Sequence, residues 1–445
     1  MESNISGSAL PLVLVCGFLG PSNEAWGNKY WGEALTLGME NSPVFVAPVS
    51  CMASAYDRAC EVFAFLKGKR VDFGETHAKE YGHARYGLNY SGKGKHDQWS
   101  EANPVHLIGH SFGGNTVRVL AYLLSVDHFK CGTNVKWIRS ITTISSPLQG
   151  SLITYVLGAC EDHEQEKPVH RFSPGYLLGV GAHCFELLGG KLGLNRYVDL
   201  GLGHWNLQKQ GIRGWIHALT GGHNGGGTPA VCNRDNAAND MTIAAAKRWN
   251  DLIKEKVDST KLYEFHLVAS KSVSRFSIAK SFQKHFYFGR EEQQTERIVG
   301  NQNLNPFYWP AILCARDFFT YYGARMASSN SFETLKEKIC PVKNGLDLRL
   351  ECGSDGLCST YSQFVSNPND GSTSPLKDDH MILMKDLRNK IFTYGQHTIK
   401  LSETSHFSIV PFPDSMKCQR DFFVDLFFML RNLGANLSPN PNAPE

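Results

Sequence analysis

The sequence predicts an α/β fold, a mostly parallel central sheet flanked by helices, on three observations. Strand-like segments alternate with helical ones along most of the chain, the pattern of a parallel sheet covered on both faces. A short apolar strand at residues 105–108 runs into Gly109-His110-Ser111-Phe112-Gly113 and then into helical spacing at 116–124, giving strand, turn and helix around G-x-S-x-G. Finally, 445 residues of which 42% are hydrophobic and 20% charged are enough to bury a large core.

In order along the chain, residues 10–15 read as a first core strand ending at Cys16-Gly17-Phe18-Leu19-Gly20, and residues 44–49 as a second. The first looks like the apolar core of a signal peptide, but it has no basic region before it and no small-x-small cleavage site after it. Residues 55–66 have a helical pattern, with Asp57 in the first turn. Beyond the elbow, 138–145 is a strand closed by Ser146-Pro147, and 262–269 and 397–401 are later strands. Residues 421–433 put Phe422, Phe423, Leu426, Met429, Leu430 and Leu433 on one helical face, which should pack on the sheet.

Between 151 and 241 the alternation stops. This stretch is rich in glycine and histidine and holds one apolar run, 174–188. It is expected to lie as an insertion across the carboxyl edge of the sheet, where open α/β sheets bind ligands. The glycine-rich run 221–227 reads as a mobile loop and 436–445 as a disordered tail. The expected organisation is one domain over 1–435 with two insertions, 51–100 and 151–241.

The elbow carries the chemistry. Glycines two places either side of Ser111 leave room for a strained turn that lifts the hydroxyl out of the sheet. A serine hydroxyl is a weak nucleophile, so it needs a base, and the base needs an acid to orient it. In this topology the chain order is Ser, acid, His. His406 is the expected base, in the loop after a late strand; His380 and His397 are its rivals, the latter poorly placed at the start of a strand. Asp355, in the turn Gly353-Ser354-Asp355-Gly356, is the expected acid, with Asp378 and Asp379 as alternatives. The backbone amides of Phe18 and Phe112 are the expected oxyanion donors.

A net charge of +3 without any Lys/Arg-dense block argues against a nucleic-acid surface or a polybasic membrane patch. No run reaches the ~18 apolar residues that a transmembrane segment needs. Twelve cysteines without a C-x-x-C pair point to free thiols and a reducing compartment, although Cys352 and Cys358 are near enough to be bridged in an oxidising one. The expected location is cytoplasmic by default, with secretion by a non-standard route left open. Upstream, Asp57 is followed by His77 and His83, and two imidazoles with carboxylates can close a tetrahedral zinc site. By spacing alone, surface histidines are the commoner reading.

Tyr56-Asp57-Arg58-Ala59-Cys60-Glu61, Val71-Asp72-Phe73-Gly74 through His77, and Gly82-His83-Ala84-Arg85-Tyr86-Gly87 resemble the zinc-containing thermoalkalophilic bacterial lipases. So do Lys29-Tyr30-Trp31-Gly32, the elbow and Thr142-Thr143-Ile144, and the similarity is densest from 12 to 150. The resemblance implies an α/β-hydrolase fold with a lid insertion and a small zinc-binding extra domain. It also implies a lipid ester substrate with long acyl chains, met at a transient lipid–water interface. Ser111, Asp355 and His406 would be nucleophile, acid and base; Asp57, His77, His83 and Asp240 would hold the zinc. Four protein ligands leave no open position, so that zinc would be structural. Tyr176, Leu177 and Leu188 mark the expected lid.

The chain also departs from that pattern. Cys16 stands in place of a histidine, Phe112 in place of a glutamine, and Tyr56 in place of a tryptophan beside the zinc. Ser408 falls where the family's calcium site needs a glutamate, with Asp414 one place out of step, so calcium is not carried over. The reading is a serine-dependent lipase or long-chain carboxylesterase working through an acyl-enzyme. Two alternatives remain, a hydrolase whose zinc makes the nucleophile and a lipid-binding relative with a dead triad. Acyl length, head group and oligomeric state stay open.

Overall fold

A computed structural model of the chain describes residues 10–39, 42–151, 173–192, 199–205, 234–269, 382–401 and 417–433. Shorter described pieces include 154–155, 157–159, 169, 299–300, 355, 358, 361–365, 404, 406, 409–410 and 414–415. The main strands are β1 (Leu12–Val15), β2 (Val44–Ala47), β5 (Val105–His110), β6 (Ile138–Ile144), β7 (Tyr263–Ala269), β9 (Ile382–Leu383) and β10 (Gly395–Leu401). They form one sheet in the order β2-β1-β5-β6-β7-β10-β9, and every pairing in it is parallel. Two small antiparallel pairs stand apart, β3 (Arg70–Asp72) with β4 (Tyr86–Asn89) and β8 (Val299–Gly300) with β11 (Asp414–Ser415).

Successive strand side chains point to opposite faces, and both faces of this sheet are covered. Val13 and Val15 of β1 enter one apolar cluster, with Val105, Leu107 and Ile141. Leu12 and Leu14 enter the other, with Ile108 and Ile144. The first face is covered by α3 (Ala55–Lys67) and α5 (Phe112–Ser125), joined by Trp249 and Ile253 of the helix Ile243–Lys256. The second is covered by α1 (Glu24–Trp31), α2 (Glu33–Met39) and the helix Lys417–Arg431, whose Phe423, Leu426, Phe427 and Leu430 are buried. This is the expected α/β sheet.

Some boundaries move. Helix α5 begins at Phe112, directly behind the serine, and its first turn through Gly113, Gly114 and Asn115 precedes the apolar spacing at 116–124. The helix Ile243–Lys256 and α4 (Glu75–Tyr81) carry too few buried apolar residues to stand out in the sequence. The apolar run after 174 is one continuous helix, Pro174–Leu192. Among the described residues no helix is long and apolar enough to cross a membrane. The runs 221–227 and 436–445 lie outside the described residues.

Candidate active site

Ser111 leaves the carboxyl end of β5 with φ 54° and ψ −130°, a backbone conformation that survives only where its surroundings enforce it. A Cβ on Gly109 would lie 2.3 Å from the carbonyl of Gly113, and one on Gly113 would lie 2.2 Å from Val15 O. Only glycine fits at either place. The Ser111 amide donates to Ile144 O at 2.8 Å, which ties the turn to β6.

His406 Nε2 is 2.9 Å from Ser111 Oγ, and His406 Nδ1 is 2.9 Å from Asp355 Oδ2. A carboxylate only accepts, so Nδ1 carries the ring proton and Nε2 offers its lone pair to the serine hydroxyl. The acid is held in turn. Asp355 Oδ1 accepts from the Cys358 amide at 2.8 Å, Oδ2 accepts from Gln363 Nε2 at 3.3 Å, and the His406 amide donates to Asp355 O at 2.8 Å. Gln363 is itself clamped to the end of β7, accepting from the Ala269 amide at 2.7 Å and donating to Ala269 O at 3.0 Å. No motif pointed to Gln363. His397 is bonded through Nε2 to Thr393 O instead, at 2.8 Å. Asp378, Asp379 and His380 lie outside the described residues.

Asp355, Cys358 and His406 also cluster closely enough to hold an ion. Both ring nitrogens of His406 are engaged, however, and burial keeps the Cys358 thiol protonated, so these groups serve a proton relay better than a metal. Cys352 lies outside the described residues.

The amides of Phe18 and Phe112, the expected oxyanion donors, both lack an acceptor among the described residues. Phe112 opens α5, so its amide has no intrahelical acceptor. After β1, the amides of Gly17, Leu19 and Gly20 donate to Tyr30 Oη (3.2 Å), Cys51 O (2.9 Å) and Gly17 O (3.1 Å). Among the described residues, that leaves the Phe18 amide without a partner. Arg58, fully buried on α3, donates to Cys16 O and, at 3.3 Å, to Gly17 O, and lies 5.1 Å over the Phe112 ring. A trans peptide points its C=O and N–H in opposite directions, so fixing Gly17 O aims the Phe18 N–H away from Arg58.

A second cluster joins α3, α4 and the segment around 235. Donor atoms of Asp57, His77, His83 and Asp235 all lie within 4.8 Å of one another. His77 Nε2 is 3.1 Å from Asp57 Oδ1 and 3.2 Å from Asp235 Oδ2. His83 Nδ1–H donates to Ala84 O at 2.9 Å, which leaves Nε2 as a bare lone pair 3.2 Å from Asp235 Oδ2. Two lone pairs facing each other in a buried place need a cation between them. His83 Nε2 and Asp57 Oδ2 are indeed buried without a hydrogen-bond partner. Burial works against a charged His77, but its bonds to Asp235 and Asp57 prevail and hold it up at about 9, so without a metal a proton takes the cation's place. The donors fit a metal ion.

The fourth residue of the cluster is Asp235, while the expected Asp240 is not among those that converge. Asp240 stands apart because both its oxygens are engaged, accepting from the Ala55 amide at 2.7 Å and from Trp249 Nε1 at 3.2 Å. It caps the first turn of α3, and burial pushes its carboxyl up to about 7. Asp235 stands in the cluster instead. His204, another residue the sequence did not single out, backs the cluster with Nε2 3.1 Å from Asp57 Oδ2.

Residues 8–263 match the family described as lipase-like, C-terminal domain. The chain belongs to this family. The resemblance to bacterial lipases read from the motifs holds. Lipase 1 of Staphylococcus aureus is 32% identical over 230 residues, covering 46% of this chain and 31% of that protein. The Staphylococcus hyicus lipase is 31% identical over 224 residues, covering 45% and 32%. The matched region thus spans about a third of each relative's length. Two solved structures share the fold. The S. hyicus lipase superposes with a TM-score of 0.60 at 20% identity, covering 97% of each chain. EstA from Clostridium botulinum gives 0.56 at 24%, covering 97% of this chain and 89% of that one.

In this lipase-like domain an apolar pocket lies against the oxyanion turn, lined by Phe18, Met52, Thr154, Leu157, Gly175 and Leu178. The helix Pro174–Leu192 closes one side. Its Tyr176 and Val180 are buried with Val169, while Leu177 is 56% exposed. The Leu188 side chain lies outside what is described.

Proposed function

We propose that the chain is a serine-dependent carboxylic ester hydrolase that acts on lipid esters of long acyl chains through an acyl-enzyme. The observation that carries this reading is the unbroken relay Ser111 Oγ, His406, Asp355 at the elbow, with 2.9 Å at each link. Ser111 Oγ attacks the ester carbonyl while its proton passes to His406 Nε2, and Asp355 stabilises the imidazolium. The oxygen that gains charge is met by the amides of Phe18 and Phe112. His406 then protonates the departing alcohol, leaving the acyl group on Ser111. Water enters, gives its proton to His406 and attacks the acyl carbon; the carboxylic acid departs and Ser111 regains its proton.

The apolar pocket beside Phe18 suits the acyl chain, and the staphylococcal relatives' name, lipase, supports the same substrate class. The helix Pro174–Leu192 acts as a lid that covers Ser111 in water and turns its apolar face outward at a lipid surface. Zinc is the cation best suited to two imidazoles and two carboxylates, held by Asp57, His77, His83 and Asp235. Once bound, it supplies a structural cross-link; four protein donors leave no position for a reacting water.

An organophosphonate should label wild-type protein stoichiometrically and Ser111→Ala not at all, and hydrolysis should rise from short to long acyl esters. Labelling that survives the substitution, or hydrolysis that outlasts labelling, would overturn the serine mechanism.

A further inference from the structure

His110, the residue before the candidate nucleophile, is fully buried and bonded at both ring nitrogens to different parts of the site. Its Nε2 is 2.9 Å from His406 O, and its Nδ1 is 2.5 Å from Tyr30 Oη. Tyr30 Oη in turn receives the Gly17 amide at 3.2 Å. Every proton in this chain has its place. A carbonyl only accepts, so His110 Nε2 carries the hydrogen; in a neutral ring Nδ1 then accepts, so Tyr30 donates to it and receives from Gly17. The neutral form is the stable one, since burial, and then His406 nearby, push the His110 pKa well below the ordinary value. The Tyr30 hydroxyl is correspondingly held far above its own.

We propose that His110 and Tyr30 form a positioning pair that locks the turn presenting the Phe18 amide to the loop presenting His406, keeping oxyanion donor and base in register about Ser111. This rests on the ester-hydrolase reading. The two parts it joins are remote in sequence: Gly17 follows β1, while His406 follows β10. Neither touches the other through the sheet, because β1 and β10 are not neighbours in it. The strained elbow places His110 between them, so one imidazole spans the two. Misplacement of a catalytic group by about 1 Å costs on the order of 10²-fold in rate, which sets the size of the expected effect.

The test uses the full chain and a soluble short-chain ester. His110→Leu should lower kcat about 30-fold with KM within twofold of wild type, since the pair shapes only the transition state. His110→Gln, which keeps a donor near His406 O, should recover part of that loss. Tyr30→Phe should cost about tenfold, and the double variant Tyr30→Phe/His110→Leu should be no slower than His110→Leu alone. Losses that multiply, or a folded His110→Leu with kcat within twofold of wild type, would overturn the pairing. If His110→Leu does not fold, Tyr30→Phe and His110→Gln carry the same test. Independently of any activity, ¹⁵N spectra of histidine-labelled protein should show His110 protonated at Nε2 and bare at Nδ1 from pH 5 to 9. The opposite tautomer or a doubly protonated ring would refute the proposal even in an active enzyme, whereas absence of phosphonate labelling with the tautomer as stated would sink only the hydrolase reading.

Discussion

Two clusters in this molecule are built from the same residue types and behave in opposite ways. Around Ser111, each donor meets an acceptor: His406 gives Nδ1–H to Asp355 and receives from the serine, and the Asp355 carboxylate also accepts from the Cys358 amide and Gln363 Nε2. Around Asp57, imidazole and carboxylate atoms crowd together: His83 Nε2 faces Asp235 Oδ2 at 3.2 Å, and Asp57 Oδ2 lies 3.1 Å from His204 Nε2. The first cluster is complete as protein and ready to move a proton. The second gathers donor atoms that fit a cation. What separates a relay from a metal site is therefore the sense of the hydrogen bonds, which residue type and spacing do not reveal.

The widest separation between the two is expected from Ser111→Ala. Ester hydrolysis should fall by roughly 10⁶, as when the nucleophile of a serine hydrolase is removed, while elemental analysis finds the metal content unchanged. Loss of metal together with activity would merge what the comparison keeps apart. Asp355→Asn comes next, at about 10⁴ in kcat, because an amide facing Nδ1 favours the wrong tautomer of His406. Combining it with His406→Ala should add little, since the two act as one unit.

Asp235→Ala probes the other side. It should abolish metal retention on gel filtration and lower Tm, because a cation bound only by the folded state adds its binding free energy to stability. Asp240→Ala should keep the metal and cost only about 1–3 kcal/mol, the penalty for orphaning the buried Ala55 amide. The reverse result would restore Asp240 as the ligand.

A pH series sharpens the contrast further. In the metal-free fold His77 is raised from 6.5 to about 9, so its stabilising proton is fully in place below pH 6.5 and is lost as pH rises through 9. Chelator-stripped protein should therefore lose Tm over that interval, while metal affinity, which needs the neutral imidazole, climbs over it. Parallel trends would contradict the proton's role as stand-in. The smallest effect belongs to Leu177→Asp, on the exposed side of the lid helix. Stability should move little, by about 0.5 kcal/mol or less, while the jump in activity above an ester's solubility limit is blunted.

Most of the candidate cluster was legible in the sequence because the elbow is compact: Gly109 is forced by Gly113 and Gly113 by the end of β1, and the order Ser, Asp, His follows from the topology. Gln363 and His204 were not legible. Each depends on a distant segment, Gln363 on Ala269, from which it reaches Asp355, and His204 on Asp57, and leaves no periodicity or motif behind. Asp235 and Asp240 lie on the same short stretch, and only the fold reveals that Asp240 is already occupied by the end of α3. The first turn of α5 carries no apolar signal of its own because glycines occupy it, and only the G-x-S-x-G turn before it marks the start.

Asp57 and Arg58 are neighbours on one turn of α3, and they face different tasks. Asp57 turns to the cation cluster, while Arg58 reaches beneath the turn after β1 and grips the carbonyls of Cys16 and Gly17. The segment 51–100 is therefore no detachable module. A protein engineer who trimmed it to obtain a smaller, metal-free catalyst would withdraw a buried guanidinium from under the Phe18 peptide and leave Asp240 with nothing to cap. Any such miniaturised enzyme would have to keep α3 whole and rebuild only what lies beyond Lys67.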